Sequence, residues 1–378
     1  MTPETHLDRR ATLKTLGLGW LAFQAPARLL ALTPAATPSR AMEVSTFLQN
    51  YWDEKREIYM DKEDKKGPTA VWAAGIMFSA LVGGARHDKA TFLPRMNRYF
   101  KGLDCYWDTK AKIAGYEPLP TAGDGHDKYY DDNAWMVLTF LEAYELTGEQ
   151  KYLRRARETH DFVLSGWDEQ AGGGIWWHER HNDDGKNTCV NAPAALSCFY
   201  LSKYSDPKTA EKLIVQGKKI VEWTVKTLQS PDGLFMDHIK VTTGRVSRAR
   251  LTYNTALMLR CFLWLHSSTN DAKHLEEAKR VGKAADWFLD GGTGAYRDLP
   301  KWSHLMVEAD IEMYRHTRDD FYLKRARKTC DVHYQDWKKA PKPEIIDNAS
   351  YARELWLLED LDSPEGVKFW QKADRVKG

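Results

Sequence analysis

YELTGEQKYLRRARETHDFVLSGWD (residues 144–168) is matched in its chemistry by YRHTRDDFYLKRARKTCDVHYQDW (314–337). Each copy reads as a helix end, a polar turn, an aromatic residue with Leu, a basic amphipathic helix and a Trp near its close. HSSTNDAKHLEEAKRVGKAADWFLD (266–290) repeats the pattern, and KYSDPKTAEKLIVQGKKIVEW (203–223) and GARHDKATFLPRMNRYFKGLDCYWD (84–108) are weaker copies. The turns fall near Asp88, Gly148, Asp206, Asp271 and Asp319, roughly 48 to 65 residues apart, so one unit is one helical hairpin. From Ser45 onward there is room for about six units, the last containing DNASYARELWLLED (347–360). Strand-like alternation is confined to linkers such as GGGIWWHE (172–179). The expected fold is all-α: a single (α/α)6 toroid with an inner and an outer layer of helices.

The helix before each turn opens in the same frame. The six openings are GPTAVWAAG (67–75), YYDDNAWM (129–136), KNTCVNAPAA (186–195), LTYNTALM (251–258), PKWSHLMV (300–307) and DNASYARE (347–354). They carry Asp, Asn, Tyr, Trp and His, and their continuations are apolar. In a ring of hairpins all six face one mouth, polar and aromatic over an apolar barrel, which is the pattern of a ligand cleft. Any one Asn or Ser there could instead cap its helix; six coincident openings favour a cleft. The loops after the outer helices also rhyme: WDEQAGGGIWW (167–177), SPDGLFMD (230–237) and LDGGTGAY (289–296). Most read as ordinary turns, but Trp176 and Trp177 on a Gly-rich loop suit a sugar-stacking wall.

Composition narrows the partners. The 378 residues are 43% hydrophobic and 29% charged, enough for a large core, and include 15 Trp and 17 Tyr. DRRATLK (8–14) followed by TLGLGWLAFQA (15–25) and small residues describes an export signal of twin-arginine type, too short for a membrane span. Residues 1–41 are therefore assigned as signal and linker and 42–378 as the single domain, located in a bacterial periplasm or outside the cell. Removing residues 1–40, which carry +3, from a +2 chain leaves −1, so nucleic acid is not an expected partner. Five cysteines without CxxC spacing disfavour a metal cluster or a disulfide framework.

Asp131 and Asp132 sit between Tyr129, Tyr130 and Trp135 at a helix start. One acid would satisfy a cap; a second adds like-charge repulsion that capping does not need. Repulsion and partial burial should raise one pKa, leaving one carboxyl protonated and one ionised near neutral pH. Glycoside hydrolysis needs that division, and carboxyls ~5 Å apart fit the retaining, covalent route.

YDDNAW (130–135), LTGEQKYL (146–153), GGGIWW (172–177), KNTCVNAPAA (186–195), DGLFMD (232–237) and TYN (252–254) occur in the order seen in glycoside hydrolase family 76, which the chain resembles over most of residues 45–360. The resemblance implies an (α/α)6 barrel and endo-acting, retaining cleavage of α-1,6-mannan without a cofactor or metal. It implies Asp131 as nucleophile and Asp132 as general acid/base. It also implies sugar contacts from Trp176, Trp177, Asn187, Asn191, Tyr253 and Asn254, and Tyr130, Asn133, Trp135 and Trp302 at the same mouth are further candidate substrate-binding residues. Two departures fall at the mouth: Thr255-Ala256 where many members have Gln-Gly, and KWSHLMV (301–307) where they have Lys-Gly-Ile-Phe.

Other patterns carry less. HERH (178–181) is not the HExxH zinc spacing, and NDDGKN (182–187) is too short for an EF-hand loop. DGHD (124–127) could join the cleft rim, and the charge runs at 62–66 and 151–157 read as solvated faces. Two rival functions share the barrel: a cofactor-free sugar epimerase, needing mouth histidines such as His304, His126 or His238, and a sugar-binding protein without turnover. The expected partner is an α-mannan poly- or oligosaccharide, met by a monomer.

Overall fold

Aspartates at the repeated turns set the outer helices. In the computed structural model, which describes residues 38–121 and 125–373, Asp88, Asp206, Asp271 and Asp319 each accept a hydrogen bond from a first-turn backbone N–H of the following helix. Such a cap contributes on the order of 1 kcal/mol. Before three of the turns the preceding helix ends in a left-handed residue, Gly148 (φ 73°), Asn270 (φ 54°) or Arg318 (φ 58°). At Asn270–Asp271 and Arg318–Asp319 a left-handed stop is followed directly by a capped start.

Thirteen helices follow in order among the described residues: α1 (Arg40–Phe47), α2 (Val71–His87), α3 (Lys89–Gly102), α4 (Tyr130–Thr147), α5 (Gln150–Ser165), α6 (Thr188–Ser202), α7 (Pro207–Leu228), α8 (Thr252–Thr269), α9 (Ala272–Ala284), α10 (Pro300–Thr317), α11 (Asp320–Lys339), α12 (Ile345–Asp362) and α13 (Pro364–Ala373). The even-numbered helices pack side by side, and α12 returns against α2, closing an inner ring of six. The odd-numbered helices α1 to α11 form the outer layer, with α1 against α12, and α13 packs on the inner helices α12, α2 and α4. The two layers differ in sequence for a physical reason. In α2 every residue but Trp72 and His87 is buried, whereas α5 buries one face, including Tyr152, Leu153, Ala156, Thr159 and Val163. Gly83 lets α2 approach α12, because a Cβ there would lie 2.8 Å from Trp356 Cβ. The all-α, (α/α)6 expectation holds.

The first helix begins within the segment assigned as signal and linker. Ser39 caps α1 and Ala41 is fully buried within it, so the last residues assigned to the linker belong to the barrel. The rest of the predicted export segment, residues 1–37, lies outside the described residues. No described helix is long and apolar enough to cross a membrane. All five cysteines are free, four of them buried.

The rhyming loops share one device. Each is closed by an antiparallel bridge: Trp167↔Ile175, Gln229↔Phe235 and Leu289↔Tyr296. Two further loops do the same with Trp52↔Tyr59 and Trp107↔Tyr116. A third ladder, Gly185–Asn187 against His238–Lys240, ties the loop before α6 to the loop before α8.

The expected apolar barrel interior is not wholly apolar. Arg260 donates to Glu308 (2.8 Å) and Glu312 (2.9 Å), and Arg353 to Glu308 (2.8 Å) and Glu142 (3.2 Å), linking α4, α8, α10 and α12 across the axis. Burial alone would raise the Glu308 pKa, but the two guanidinium groups outweigh it and hold it at about 2.

Candidate active site

The first turn of α4 lies at the mouth, where Tyr129 precedes the helix in extended conformation and offers no side-chain cap. Asp131 and Asp132 therefore occupy the positive end of the helix dipole. A cavity of about 580 Å³ opens over them, lined among others by Trp72, Trp135, Trp177, Tyr253 and Trp302. Asn187, Cys189, Asp237 and His238 complete its far side.

The two carboxyls are treated unequally. Asp131 Oδ2 accepts from the Trp177 indole N–H (2.8 Å) and the Cys189 thiol (3.3 Å), and its Oδ1 accepts from the Asp132 backbone N–H (2.9 Å). Among the described residues no donor reaches the Asp132 carboxylate. Burial raises the Asp131 pKa to about 6, the three donors holding back a larger rise. Asp132 is raised further, by burial and by the charge of Asp131, so the pair shares one proton and Asp132 keeps it.

Opposite the pair, Asp237 is held by its neighbours. His238 Nδ1 lies 2.8 Å from Asp237 Oδ2, and the Asn254 amide donates to Asp237 Oδ1 at 3.3 Å. Asn187 is 7% exposed, lines the cavity, and its buried side-chain oxygen accepts nothing from the protein.

Of the twelve residues singled out from sequence, seven converge on the cleft: Asp131, Asp132, Trp135, Trp177, Asn187, Tyr253 and Trp302. Five do not line it, and the reason is visible in each. Asn133 accepts from the Tyr116 backbone N–H (2.7 Å) and donates to the Tyr116 carbonyl (2.9 Å), clamping the loop between α3 and α4. Asn191 clamps Ile175 in the same way, at 2.8 Å and 3.2 Å. Tyr130 stacks on Phe162 inside the wall. Trp176 turns inward, donating to Asp168 (2.8 Å) and stacking on His181. Asn254 is fully buried behind Asp237.

Sequence reasoning missed Trp72, Tyr129, Cys189 and Asp237 as wall residues. Each lies inside a quoted segment, and for Asp237 the signal was its place beside the ladder strand that faces Asn187. The histidines needed for the epimerase reading do not converge. His304 is buried, its Nδ1 on the Pro300 carbonyl (2.8 Å), and burial drives its pKa down to about 3. Only His238 of the three lines the cavity.

A six-hairpin barrel with an acidic pair at the floor of an aromatic cleft has the architecture of a carbohydrate-cleaving enzyme. The family model described as Glycosyl hydrolase family 76 matches residues 37–312, and the chain belongs to that family of glycoside hydrolases. No curated protein matched. Among solved structures, the family 76 α-mannanase BT2949 of Bacteroides thetaiotaomicron is similar at a TM-score of 0.79 and 22% identity, covering 86% of this chain and 96% of its own. The GH76A α-1,6-mannanase of Salegentibacter sp. HEL1_6 follows at 0.71 and 19%, covering 85% and 98%. An inactive variant of that enzyme, with two consecutive aspartates replaced by alanine, is in complex with α-1,6-mannotetrose; it matches at 0.69 and 18%, covering 84% and 97%.

Proposed function

We propose that this glycoside hydrolase cleaves α-1,6-mannosidic linkages within α-mannan chains, with retention of anomeric configuration. The observation that carries the mechanism is the unequal hydrogen bonding of the pair, three donors on Asp131 and none on Asp132. Asp131 is the ionised nucleophile: its carboxylate attacks the anomeric carbon as Asp132 gives its proton to the leaving glycosidic oxygen. The departing chain leaves with a hydroxyl, and the retained mannosyl group is esterified to Asp131. Asp132, now ionised, takes a proton from water; the hydroxide oxygen bonds the anomeric carbon and Asp131 leaves as carboxylate. The route uses no cofactor.

The substrate reading rests on kinship with enzymes named as α-1,6-mannanases and on the ligand of the Salegentibacter variant, an α-1,6-linked mannooligosaccharide. The open cleft walled by Trp72, Trp135, Trp177 and Trp302 supports internal cleavage, since a chain can run through it over stacking surfaces. The twin-arginine pattern supports export, where a polymeric glycan would be met, and action as a monomer is part of the same reading. The test is incubation with linear α-1,6-mannooligosaccharides, with products read by mass spectrometry and by proton NMR within the first turnovers. Internal fragments with the α-anomer formed first support the reading; no cleavage, or the β-anomer first, overturns it.

A further inference from the structure

Beside the catalytic cleft lies a second cavity of about 690 Å³, lined by Met236, Val246, Arg248, Arg250 and Trp287 among others. It shares the segment leading into α8 with the cleft, because Arg250 lines one cavity and the adjacent Leu251 the other. The two cavities are therefore flanked by consecutive residues of one segment.

Its chemistry is unlike that of the cleft. Trp287 is 48% exposed, an unusual state for so large an apolar ring. Two guanidinium groups lie against it, Arg297 at 4.1 Å and Arg250 at 5.3 Å from the ring centroid, as cation–π pairs. Arg250 is further held by Asp232 (2.9 Å) and by the Ser230 hydroxyl (3.2 Å). Arg248 and Arg297 have no ion-pair partner among the described residues, although Asp290 is near enough to Arg297 to feel its charge. Arg248 and Arg250 thus line the groove with Trp287, Arg297 stacks on the same ring, and of the three only Arg250 is paired with a carboxylate. The cleft has the opposite balance, with Asp131, Asp183 and Asp237 against Lys240 while Asp132 holds its proton. A negatively charged group on a substrate would be repelled from the cleft and attracted here.

We propose that this Arg–Trp groove binds an anionic substituent, a phosphate or a carboxylate, carried by the glycan whose backbone occupies the cleft. The planar guanidinium forks of Arg248 and Arg297 match the oxygen pairs of either group. Trp287 holds two of the three guanidinium groups at the groove. The proposal rests on the reading of the cleft as a mannan site, and deepens it by naming a class of decorated substrate.

The experiment compares the full chain with the R248A/R297A variant in two measurements. In the first, kcat/KM is determined on a neutral α-1,6-mannan and on the same polymer bearing phosphate or uronate side groups. The groove predicts that the ratio of decorated to neutral kcat/KM falls about tenfold in the variant, and that the wild-type ratio falls as salt is raised. An unchanged ratio overturns it. In the second, calorimetry measures binding of mannose 6-phosphate, glucuronate and mannose without turnover. Binding of either anion, weakened in the variant and by salt, supports the groove and tells phosphate from carboxylate; binding of neither by the wild-type protein overturns it. Failure to cleave any mannan while an anion still binds would sink the substrate reading alone.

Discussion

The indole N–H of Trp177 donates to Asp131 Oδ2 at 2.8 Å, so the wall that would stack a sugar also tunes the acid that would attack it. This bond lowers a pKa that burial raises. Trp177→Phe keeps a ring against Tyr129 but removes the donor, so the Asp131 pKa should rise. The acidic limb of the pH profile for kcat/KM, expected near 6 in the wild type, should then move to higher pH. An acidic limb that stays put would show that Asp131 is not the group titrating there. Asp131→Asn and Asp132→Asn, by contrast, should each lower kcat by about 10²–10⁴-fold across the whole range.

The acidic pair should cost stability at neutral pH. Both folded pKa values lie above the ordinary carboxylate value, so the native state holds protons that the unfolded chain releases. Stability then falls as pH rises through the window from about 4 to about 6 for Asp131, and beyond it for Asp132. A doubly amidated variant, Asp131→Asn with Asp132→Asn, escapes that loss. Its melting temperature should exceed that of the wild type by a few degrees at pH 8 and match it near pH 4. Equal melting temperatures at both values would mean the pair is not desolvated in the free enzyme.

The barrel was legible because its signals are local. Apolar inner helices, amphipathic outer ones and the Asp caps at 88, 206, 271 and 319 recur within single hairpins. The bridged loops were only partly legible. Three advertise themselves by Asp, Gly and an aromatic residue, and Trp107–Tyr116 carries the same letters with Asp108 and Gly115 far apart, whereas Trp52–Tyr59 closes the same bridge without a glycine. The axial ion network was hidden for a different reason. Arg353 and Glu142 meet across 211 residues of chain, and no local periodicity records such a pairing. Asparagines were the weakest letters, since an amide that clamps a loop and one that meets a sugar occupy the same helix starts.

That ambiguity yields a direct comparison. Asn191→Ala removes a donor and an acceptor from the Ile175 peptide, which is buried, and should destabilise the protein by about 2–4 kcal/mol. Asn187→Ala lies at the cleft, where its oxygen has no protein partner, and should raise KM several-fold with little change in melting temperature. Thermal unfolding and initial rates on mannooligosaccharides separate the two. If Asn191→Ala kept its melting temperature and lost substrate affinity instead, the clamp assignment would fail.

Glu308 is the hinge of the axial network, since Arg260 and Arg353 both donate to it. Glu308→Leu would leave these two buried guanidinium groups with only Glu312 and Glu142 to answer them, and should cost about 3–5 kcal/mol in urea unfolding. Arg98→Ala, which breaks the more exposed pairs with Glu54 and Glu57, should leave the unfolding midpoint nearly unchanged in the same assay. The network also has a pH signature opposite to that of the catalytic pair. Because the folded Glu308 pKa is held near 2, its contribution is complete above about pH 5 and is lost as pH falls toward 2. Unfolding of the wild type should therefore steepen below about pH 4, and Glu308→Leu should flatten that part of the curve. A variant as acid-sensitive as the wild type would assign the low-pH loss to other carboxylates.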